Sequence, residues 1–330
     1  MGFTLFHALF SSLQESFDHL EQTNQTYATD FILSGITSNP HLQIPVFLLC
    51  LMVYITTLLG NITIVALILV TPHLQTPMYF FLLNLSLIDI FYSSTITPNS
   101  LANILSVQKT ISIAGCAVQM FFFIDLAASE GMILAVMAYD RYVAICRPLN
   151  YPILISSKRC LQFICIVFTA GIINSLIHTY NAFRVPLFCS PYVNHFYCDL
   201  IPILKLSCQD TFLNELFLFT FAGSIEVGSL LCILISYACI LTALFKIRHT
   251  TGRFKTFSTC ASHLSCVCLF YCPVFFTYLR PATSYSMDGD WFVSVFYTLL
   301  IPMLNPIIYS LRNNDVKKAL QSINLTVLFS

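Results

Sequence analysis

Charged residues are scarce in this sequence. Asp, Glu, Lys and Arg make up only 9% of its 330 residues, whereas 57% are hydrophobic. A soluble domain usually carries about 25% charged residues, and a soluble fold of this composition would expose large apolar patches and aggregate. The net charge is zero, so the charge balance gives no reason to expect a nucleic acid as a partner. The composition therefore excludes an ordinary soluble domain and favours an integral membrane protein.

Motifs for catalysis are absent as well. The sequence has no His-Glu-x-x-His segment, no phosphate-binding loop and no Cys-x-x-Cys pair in a suitable context. His263 stands alone, and a single histidine is more typical of packing or coupling than of metal binding. We therefore expect a protein that is not an enzyme and that has no catalytic cofactor.

Seven hydrophobic segments are each long enough to cross a bilayer, which takes about 20 mostly apolar residues in a helix. The predicted spans are Pro45–Val70, Met78–Leu101, Gly115–Met137, Leu161–His178, Glu215–Phe245, Thr259–Leu279 and Trp291–Ser310. The expected fold is an all-α seven-transmembrane bundle over residues 45–311. It follows an extracellular segment, residues 1–44, and precedes a cytoplasmic tail, residues 312–330, with an amphipathic helix.

Lysine and arginine gather on one side of these spans. Basic residues accumulate in cytoplasmic loops. The loops on the C-terminal side and the tail carry Arg141, Arg147, Lys158, Arg159, Lys246, Arg248, Arg253, Lys255, Arg312, Lys317 and Lys318. The other side carries only Lys109, Arg184, Lys205 and Arg280. This asymmetry predicts a multi-pass protein of the plasma membrane with an extracellular N-terminus.

The N-terminal segment carries the accessible glycosylation sequon. Asn-x-Ser/Thr sequons occur at Asn24, Asn61, Asn84 and Asn324. Only Asn24 lies on the predicted outer side, so Asn24 is the expected glycosylation site. The first twenty residues lack the basic start of a signal peptide, and the first span can act as the insertion signal.

Fourteen cysteines suggest a disulfide framework until they are sorted by depth. Most lie within predicted spans, where a free cysteine behaves as a small apolar residue. Four lie on the predicted oxidising side, namely Cys116, Cys189, Cys198 and Cys208. Four cysteines permit three pairings, and the residues alone do not choose among them.

Acidic residues within spans are expensive, at about 2.5–3.5 kcal/mol each on insertion scales, so they should face the bundle interior. Asp89 lies in the middle of the second span, Asn61 lies about as deep in the first, and Glu130 lies midway along the third. Two close carboxylates cannot both ionise cheaply, so this group predicts a shared cation, such as sodium, or a shared proton. The alternative is that these side chains only join helices through hydrogen bonds. For Asp125 and Glu226 the sequence leaves open whether they face a cavity.

The tripeptide Asp140-Arg141-Tyr142 closes the third span at its predicted cytoplasmic edge. An arginine at this position can pair with its acidic neighbour and later release it to meet a partner. The alternative is an ordinary basic anchor at the membrane interface.

Proline interrupts the last two spans. Pro273 lies in the sixth, and Pro302 and Pro306 lie in the seventh; each removes a backbone donor and kinks its helix. Asn305 can satisfy backbone groups that Pro306 frees, and Tyr309 lies one turn further on. Such helices serve as hinges for switching or carry static kinks, which are common in membranes.

Several short segments, taken in order, carry a family resemblance. They are Gly60-Asn61, PMYFFLLNLSLID (77–89), MAYDRYVAIC (137–146), SY (236–237), KTFSTCASHL (255–264) and PMLNPIIYSLRN (302–313). Over residues 27–321 the chain resembles the vertebrate olfactory receptors of the rhodopsin-like G-protein-coupled receptor superfamily. The FSTCASHL segment resembles their class II, or tetrapod-type, branch.

The resemblance implies both structure and function. It implies one disulfide between Cys116 and Cys198, a second between Cys189 and Cys208, and an ion site at Asp89 and Glu130. The expected ligand is a small-molecule odorant, and the expected partner is a stimulatory G protein that raises cyclic AMP. The residues implied in activation and G-protein coupling are Asp140, Arg141, Tyr142, Tyr237, His263, Asn305, Pro306 and Tyr309.

Three features depart from the family's pattern. Phe270-Tyr271-Cys272-Pro273 stands where such receptors often read Phe-Tyr-Gly-Thr, which affects the expected shape of the sixth helix and of the cavity. Asp125 lies near third-helix positions that are usually apolar or histidine. The N-terminal extension is unusually long.

Helical spacing predicts a ligand cavity in the outer half of the bundle. Phe123 and Ala127 lie four residues apart on the third span, and on the sixth an i, i+3, i+4, i+7 series forms one face. The predicted lining is Phe123, Ala127, Phe221, Ile225, Tyr271, Val274, Phe275, Tyr278, Val295 and Thr298. Plain helix packing is the alternative for each residue taken singly.

Such a lining is aromatic and apolar with a few hydroxyls, which suits a small neutral volatile. A ligand of about a dozen heavy atoms at ~0.5 kcal/mol each would bind with an affinity near tens of micromolar. The alternatives are a receptor of the same fold for an endogenous metabolite and a transporter or channel. Against the latter, the sequence has no internal repeat and no pair of matching broken helices.

Overall fold

The computed structural model describes residues 30–37, 39–184, 189–208, 211–246, 250–278, 293–312 and 315–321. Its helices α1 to α6 are Pro40–Val70, Pro77–Leu105, Ile113–Cys146, Ser157–Phe183, Phe212–Lys246 and Thr250–Tyr278. Helix α7 covers 293–312, with π-helical Phe296–Leu300 followed by α-helical Ile301–Arg312. Six of these helices are long and apolar enough to cross a membrane, and α7 is shorter and apolar over Val293–Tyr309. The predicted seven-helix membrane bundle is confirmed.

Helices α1 and α3 begin before the predicted spans, and a polar side chain caps each of them. The Asn39 side chain accepts a hydrogen bond from the backbone N–H of His41 at 3.0 Å, and α1 begins between them at Pro40. At the start of α3, the Ser112 hydroxyl accepts from the N–H of Gly115 at 3.1 Å. Each cap satisfies an N–H that the first helical turn leaves unpaired.

A three-stranded sheet, which was not predicted from the sequence, covers one end of the bundle. Strand β1 (Asp30–Leu33) pairs antiparallel with β2 (Thr110–Ser112) and parallel with β3 (Tyr192–Val193). Strands of two to four residues are too short for a detectable alternation of apolar and polar residues. We call this end of the bundle the sheet end.

Lys109 fastens the chain that leaves β1. Its Nζ donates to the backbone carbonyls of Ser34 at 3.2 Å and Thr37 at 2.5 Å. Between them Gly35 adopts φ 72°, a conformation that favours glycine. Partial burial lowers the pKa of Lys109. This contact ties the segment before α1 to the loop between α2 and α3.

Two disulfides hold the long loop between α4 and α5 at the sheet end. Cys116, in the first turn of α3, is joined to Cys198, with Cα atoms 5.4 Å apart. Cys189 is joined to Cys208 within the loop, with Cα atoms 5.1 Å apart. These are the pairings that the family resemblance implies. The other ten cysteines are free and lie in the helices.

Helix α3 lies at the centre of the bundle and packs against α2, α4, α5 and α6. The outer faces of the surrounding helices stay apolar: Leu48, Ile166 and Ile235 are each more than half exposed. A helix that is hydrophobic on all sides is typical of a membrane span, and such faces contact lipid. At the end opposite the sheet, a short helix at 315–321 buries Val316 and Ala319 and exposes Lys317 and Lys318.

Candidate functional site

A cavity lies inside the half of the bundle nearer the sheet end. It extends from Asp199 and Leu200, in the loop after α4, to Glu130 and Ile301 in the middle of the bundle. Helices α2 to α7 all contribute to its wall. The loop reaches this position because Gln119 of α3 accepts a hydrogen bond from the N–H of Cys198 at 3.0 Å, beside the disulfide.

Aromatic rings form one part of the wall, and Phe123 lies at their centre. Its ring centroid is 5.5 Å from that of Tyr92, 5.1 Å from Tyr197 and 6.4 Å from Tyr297. The hydroxyls of Tyr197 and Tyr297 are hydrogen bonded at 2.5 Å, which joins the loop directly to α7. Aromatic pairs at these separations attract each other beyond their burial, so α2, α3, α7 and the loop are linked around the cavity.

Polar side chains form another part of the wall. Asn174 and His178 of α4 are buried, at 4% and 2% exposed, and Glu226 of α5 lies on the same cavity. Asn174 Oδ1, His178 Nε2 and Glu226 Oε2 have no hydrogen-bond partner among the described residues. Asp199 accepts from the N–H of Leu200 at 2.7 Å. A cavity with apolar walls and a few convergent polar groups is typical of a small-molecule site.

Half of the predicted lining residues lie on this cavity. They are Phe123, Ala127, Ile225, Val274 and Phe275. On α5 the wall is formed mainly by Ala222, Gly223, Ile225, Glu226 and Val227. Phe221 does not line the cavity, because the side of α5 that faces it is turned by about one residue and leaves Phe221 44% exposed on the outside.

Helix α7 presents different residues from those predicted. Val295 and Thr298 do not line the cavity, whereas Tyr297 and Ile301 do. The prediction assumed regular α-helical spacing, but Phe296–Leu300 is π-helical, and the extra residue in that turn changes which positions face inward. The Thr298 hydroxyl instead donates to the Ser294 carbonyl at 2.7 Å.

Tyr271 also lies off the cavity lining. It is buried, and its hydroxyl donates to the Gly131 carbonyl of α3 at 3.4 Å. The side chain of Tyr278, the remaining predicted residue, lies outside the described part of the chain.

The two acids whose orientation the sequence left open differ in position. Glu226 lines the cavity. Asp125 does not, because it is buried against α4, where it and Ser129 pack over Gly171 and a side chain at position 171 would collide with both. Because Gly171 has no side chain, the carboxylate of Asp125 fits between α3 and α4 at this point.

A polar centre lies directly beneath the cavity. Asn305 Nδ2 donates to Asp89 at 3.1 and 3.2 Å and to Glu130 Oε1 at 3.3 Å, and all three side chains are buried. One amide thus bridges the carboxylates of α2 and α3 from α7. The structure brings Asp89 and Glu130 together, and the shared cation or proton stays a prediction.

The roles predicted for the two asparagines are exchanged. The Nδ2 of Asn61 donates to the carbonyls of Thr57 and Pro302, both at 3.0 Å, rather than to the carboxylates. Asn61 therefore satisfies backbone of the proline-containing α7, the role that was predicted for Asn305. The sequence showed how deep each asparagine lies in the membrane, but not toward which helix its amide group points.

Known proteins resemble the chain over nearly its whole length. The family model described as olfactory receptor matches residues 49–326. Olfactory receptor 5AR1 of Mus musculus is 48% identical over 304 residues, which cover 92% of this chain and 98% of that protein. Olfactory receptor 5I1 of Homo sapiens is 50% identical over 91% of this chain and 96% of its own length. The olfactory receptor-like protein COR4 of Gallus gallus is 48% identical over 92% and 97%.

This chain belongs to the olfactory receptor family. Its members are receptors rather than enzymes, which confirms the prediction made from the absence of catalytic motifs. The receptor is a multi-pass membrane protein.

At the end of the receptor opposite the sheet, where the activation residues were predicted, His263 joins three helices. His263 Nε2 lies 3.1 Å from the Leu134 carbonyl of α3, and its Nδ1 lies 2.9 Å from the Tyr237 hydroxyl of α5. Since a carbonyl only accepts, Nε2 carries the proton and Nδ1 accepts from tyrosine. The predicted coupling residues Tyr237 and His263 are thus in direct contact. Arg141 and Tyr309 are buried in the same half of the bundle.

Asp140 has a partner in the loop that follows α3. Its Oδ1 accepts from the Tyr151 hydroxyl at 2.8 Å. Burial, followed by the nearby Asp140 carboxylate, raises the pKa of Tyr151, so this tyrosine remains a donor. Tyr142 faces elsewhere, with its ring 5.8 Å from the Arg147 guanidinium. Pro306 packs against Gly60, where a Cβ would lie 3.0 Å from the proline ring.

The residues of the cavity wall that the reasoning from sequence missed include Tyr92, Asn174, His178, Asp199 and Tyr297. Asn174 and His178 could have been found, because polar residues within a predicted span usually face the bundle interior. Tyr92, Tyr297 and Asp199 carry no such signal. Asn24, the predicted glycosylation site, lies outside the described residues.

Proposed function

We propose that this receptor binds a small, mostly apolar volatile ligand in the cavity and activates a stimulatory G protein at the opposite end of the bundle, which raises cyclic AMP. The observation that carries the proposal is the aromatic wall around Phe123, enclosed by helices and by the disulfide-linked loop. A ligand of this kind is recognised mainly by burial of its apolar surface.

A continuous set of contacts supports the link between the cavity and α7. Glu130 lines the cavity and accepts from Asn305, which also donates to Asp89. Tyr297 lines the cavity from the π-helical turn of α7. A ligand activates only if it binds the active packing more tightly than the inactive one. A ligand that contacts Glu130 or Tyr297 can stabilise one arrangement of α7.

Activation at the far end would then act through His263 and Arg141. The hydrogen bonds of His263 hold α3, α5 and α6 together, and a G protein needs these helix ends to separate or rearrange. We also propose that Asp89 and Glu130 share a cation, such as sodium, or a proton, since Asn305 brings both carboxylates together without a positive charge.

The proposed orientation places the sheet end outside the cell, in the plasma membrane. Both disulfides lie at that end, and disulfides persist in oxidising compartments. The excess of lysine and arginine lies at the other end, as expected for the cytoplasmic side. Asn24 would then be accessible to glycosylation.

The test is a cyclic AMP reporter in cells that carry the receptor at their surface, screened against a chemically broad odorant panel. Some panel members should raise cyclic AMP with half-maximal concentrations in the micromolar range, and Arg141→Ala should abolish this response while surface labelling stays unchanged. Epitope tags at the two termini test the orientation: only the N-terminal tag should be accessible on intact cells. A ligand-evoked current without a G protein would instead indicate a channel.

A further inference from the structure

The polar part of the cavity wall, formed by Asn174, His178 and Glu226, consists mostly of hydrogen-bond acceptors without partners. Asn174 Oδ1 can only accept, Glu226 Oε2 accepts when the carboxyl group is ionised, and His178 Nε2 is also unpaired within the described chain. Asn174 and His178 are more than nine-tenths buried and both line the cavity. Buried polar groups are normally satisfied, so these atoms require donors from whatever occupies the cavity.

The position of Glu226 shows that space has been left for its carboxylate. It lies over Gly131 of α3, where a Cβ would stand only 2.8 Å from Oε2. A larger residue at position 131 would displace the carboxylate from this place. The absence of a side chain on α3 therefore lets an acid of α5 approach α3 next to Glu130.

Apart from His178, the ionisable side chains that could carry charge on the wall are all acidic. Glu130, Asp199 and Glu226 line the cavity, and no lysine or arginine of the described residues does. Glu130 already accepts from Asn305 at 3.3 Å, and Asp199 from the N–H of Leu200 at 2.7 Å. Glu226 is the acid of this set for which the described residues provide no donor to Oε2.

The chemistry of the wall distinguishes between ligand head groups. A carboxylic acid would bring a negative charge to three acids. A ketone or ester brings only acceptors and leaves Glu226 unsatisfied, and an alcohol brings a single donor. A protonated amine brings two or three donors and a positive charge, and a buried charge is stable only when it is paired and hydrogen bonded.

We propose that the ligand of this receptor is a small organic amine, whose apolar body packs on the aromatic wall and whose nitrogen donates to Glu226. This inference rests on the proposed odorant site in the same cavity. It retains the apolar body expected from the sequence and replaces the neutral head group with a cationic one.

The experiment compares ligands that differ only in the head group. Primary amines, alcohols, aldehydes and carboxylic acids, each with linear chains of about four to ten carbons and with a phenylethyl group, are tested in the cyclic AMP reporter. Cells without the receptor serve as the background. The best amine should have a half-maximal concentration at least about tenfold below that of its matched alcohol.

Two variants then test the contact itself. Glu226→Gln keeps the size of the side chain and removes its charge, and it should raise the half-maximal concentration of the amine by about tenfold or more while changing that of the alcohol by less than about threefold. The matched control is Asp125→Asn, which alters a buried acid of α3 that does not line the cavity. It should leave the ratio of amine to alcohol unchanged.

The outcomes separate the two proposals. If neutral ligands activate the receptor and amines do not, this inference is overturned and the odorant site stands. The inference is likewise overturned if Glu226→Gln weakens amine and alcohol equally. If Glu226→Gln does not reach the surface, the ligand series on the unaltered receptor decides. If no compound raises cyclic AMP at a surface-labelled receptor, both proposals fail.

Discussion

Phe123 provides the most direct test that the described cavity is the ligand site. The residue is 3% exposed, lines the cavity and contacts three tyrosine rings. The perturbation is Phe123→Leu, which keeps an apolar side chain of similar bulk and removes the flat ring. We expect a ligand packed against this ring to lose affinity, because leucine offers less contact area.

The magnitude follows from the contact area of one ring face. An aromatic side chain buries about 150–250 Å² in all, and a ligand in the cavity can cover about a quarter of it, or roughly 40–60 Å². At about 25 cal/mol per Å² this contact contributes about 1–1.5 kcal/mol. Because leucine keeps roughly half of this contact, the loss is about 0.5–0.8 kcal/mol, and the half-maximal concentration of an agonist should rise by about 2- to 4-fold.

The assay is a cyclic AMP dose–response curve, normalised to surface labelling, with Phe221→Leu as the matched control. Phe221 is also a phenylalanine of a spanning helix, but it is 44% exposed on the outer face of α5. Its replacement should shift potency by less than about twofold. If the two variants give the same shift, or if Phe123→Leu gives none at normal surface level, the ligand does not bind against the aromatic wall.

Three further predictions concern the rest of the receptor. Asn305→Leu removes the donor between two buried carboxylates, at a cost of roughly 1–3 kcal/mol, so thermal stability in detergent should fall; an unchanged melting temperature would contradict the bridge. Tyr237→Phe removes the donor to His263 and should change basal and maximal cyclic AMP several-fold with agonist potency nearly constant, and a pure potency shift would place Tyr237 elsewhere in the mechanism. Burial lowers the pKa of His195 from 6.5 to about 3, so the unfolded chain binds a proton that the folded loop does not. The free energy of unfolding should then fall by up to about 1.4 kcal/mol per pH unit as pH decreases from about 6.5 toward 3. His195→Phe should flatten this loss, and a curve parallel to that of the unaltered receptor would refute the assignment.

The cavity shows where prediction from helical spacing holds and where it ends. Phe123 and Ala127 on α3, and Val274 and Phe275 on α6, were placed correctly on the wall because the spacing of a regular α-helix fixes which side chains share a face. Tyr297 was missed because the π-helical turn of α7 depends on how that helix packs. Its sequence contains no local signal for an extra residue in one turn.

The contacts of the loop at the sheet end could not be predicted from the sequence, for a different reason. Its contacts join residues far apart in the chain: Tyr197 is hydrogen bonded to Tyr297, and Cys198 is joined to Cys116. Such pairs leave no periodic pattern, since neither partner is a neighbour of the other along the chain. The disulfide pairing was available only through the family resemblance, because four cysteines alone allow three arrangements.

The number of spans and the family followed from local properties of the chain. Twenty apolar residues in a row cannot remain in water, and an acid within such a row has to face inward, so composition and depth were sufficient for these conclusions. The hydrogen-bond partners of the buried polar groups could not be predicted in this way. The depth of a residue along one helix does not show how that helix is rotated toward its neighbours. Packing alone directed Asn305 to Asp89 and Glu130, sent Asn61 to the carbonyl of Pro302, and placed Glu226 rather than Asp125 in the cavity.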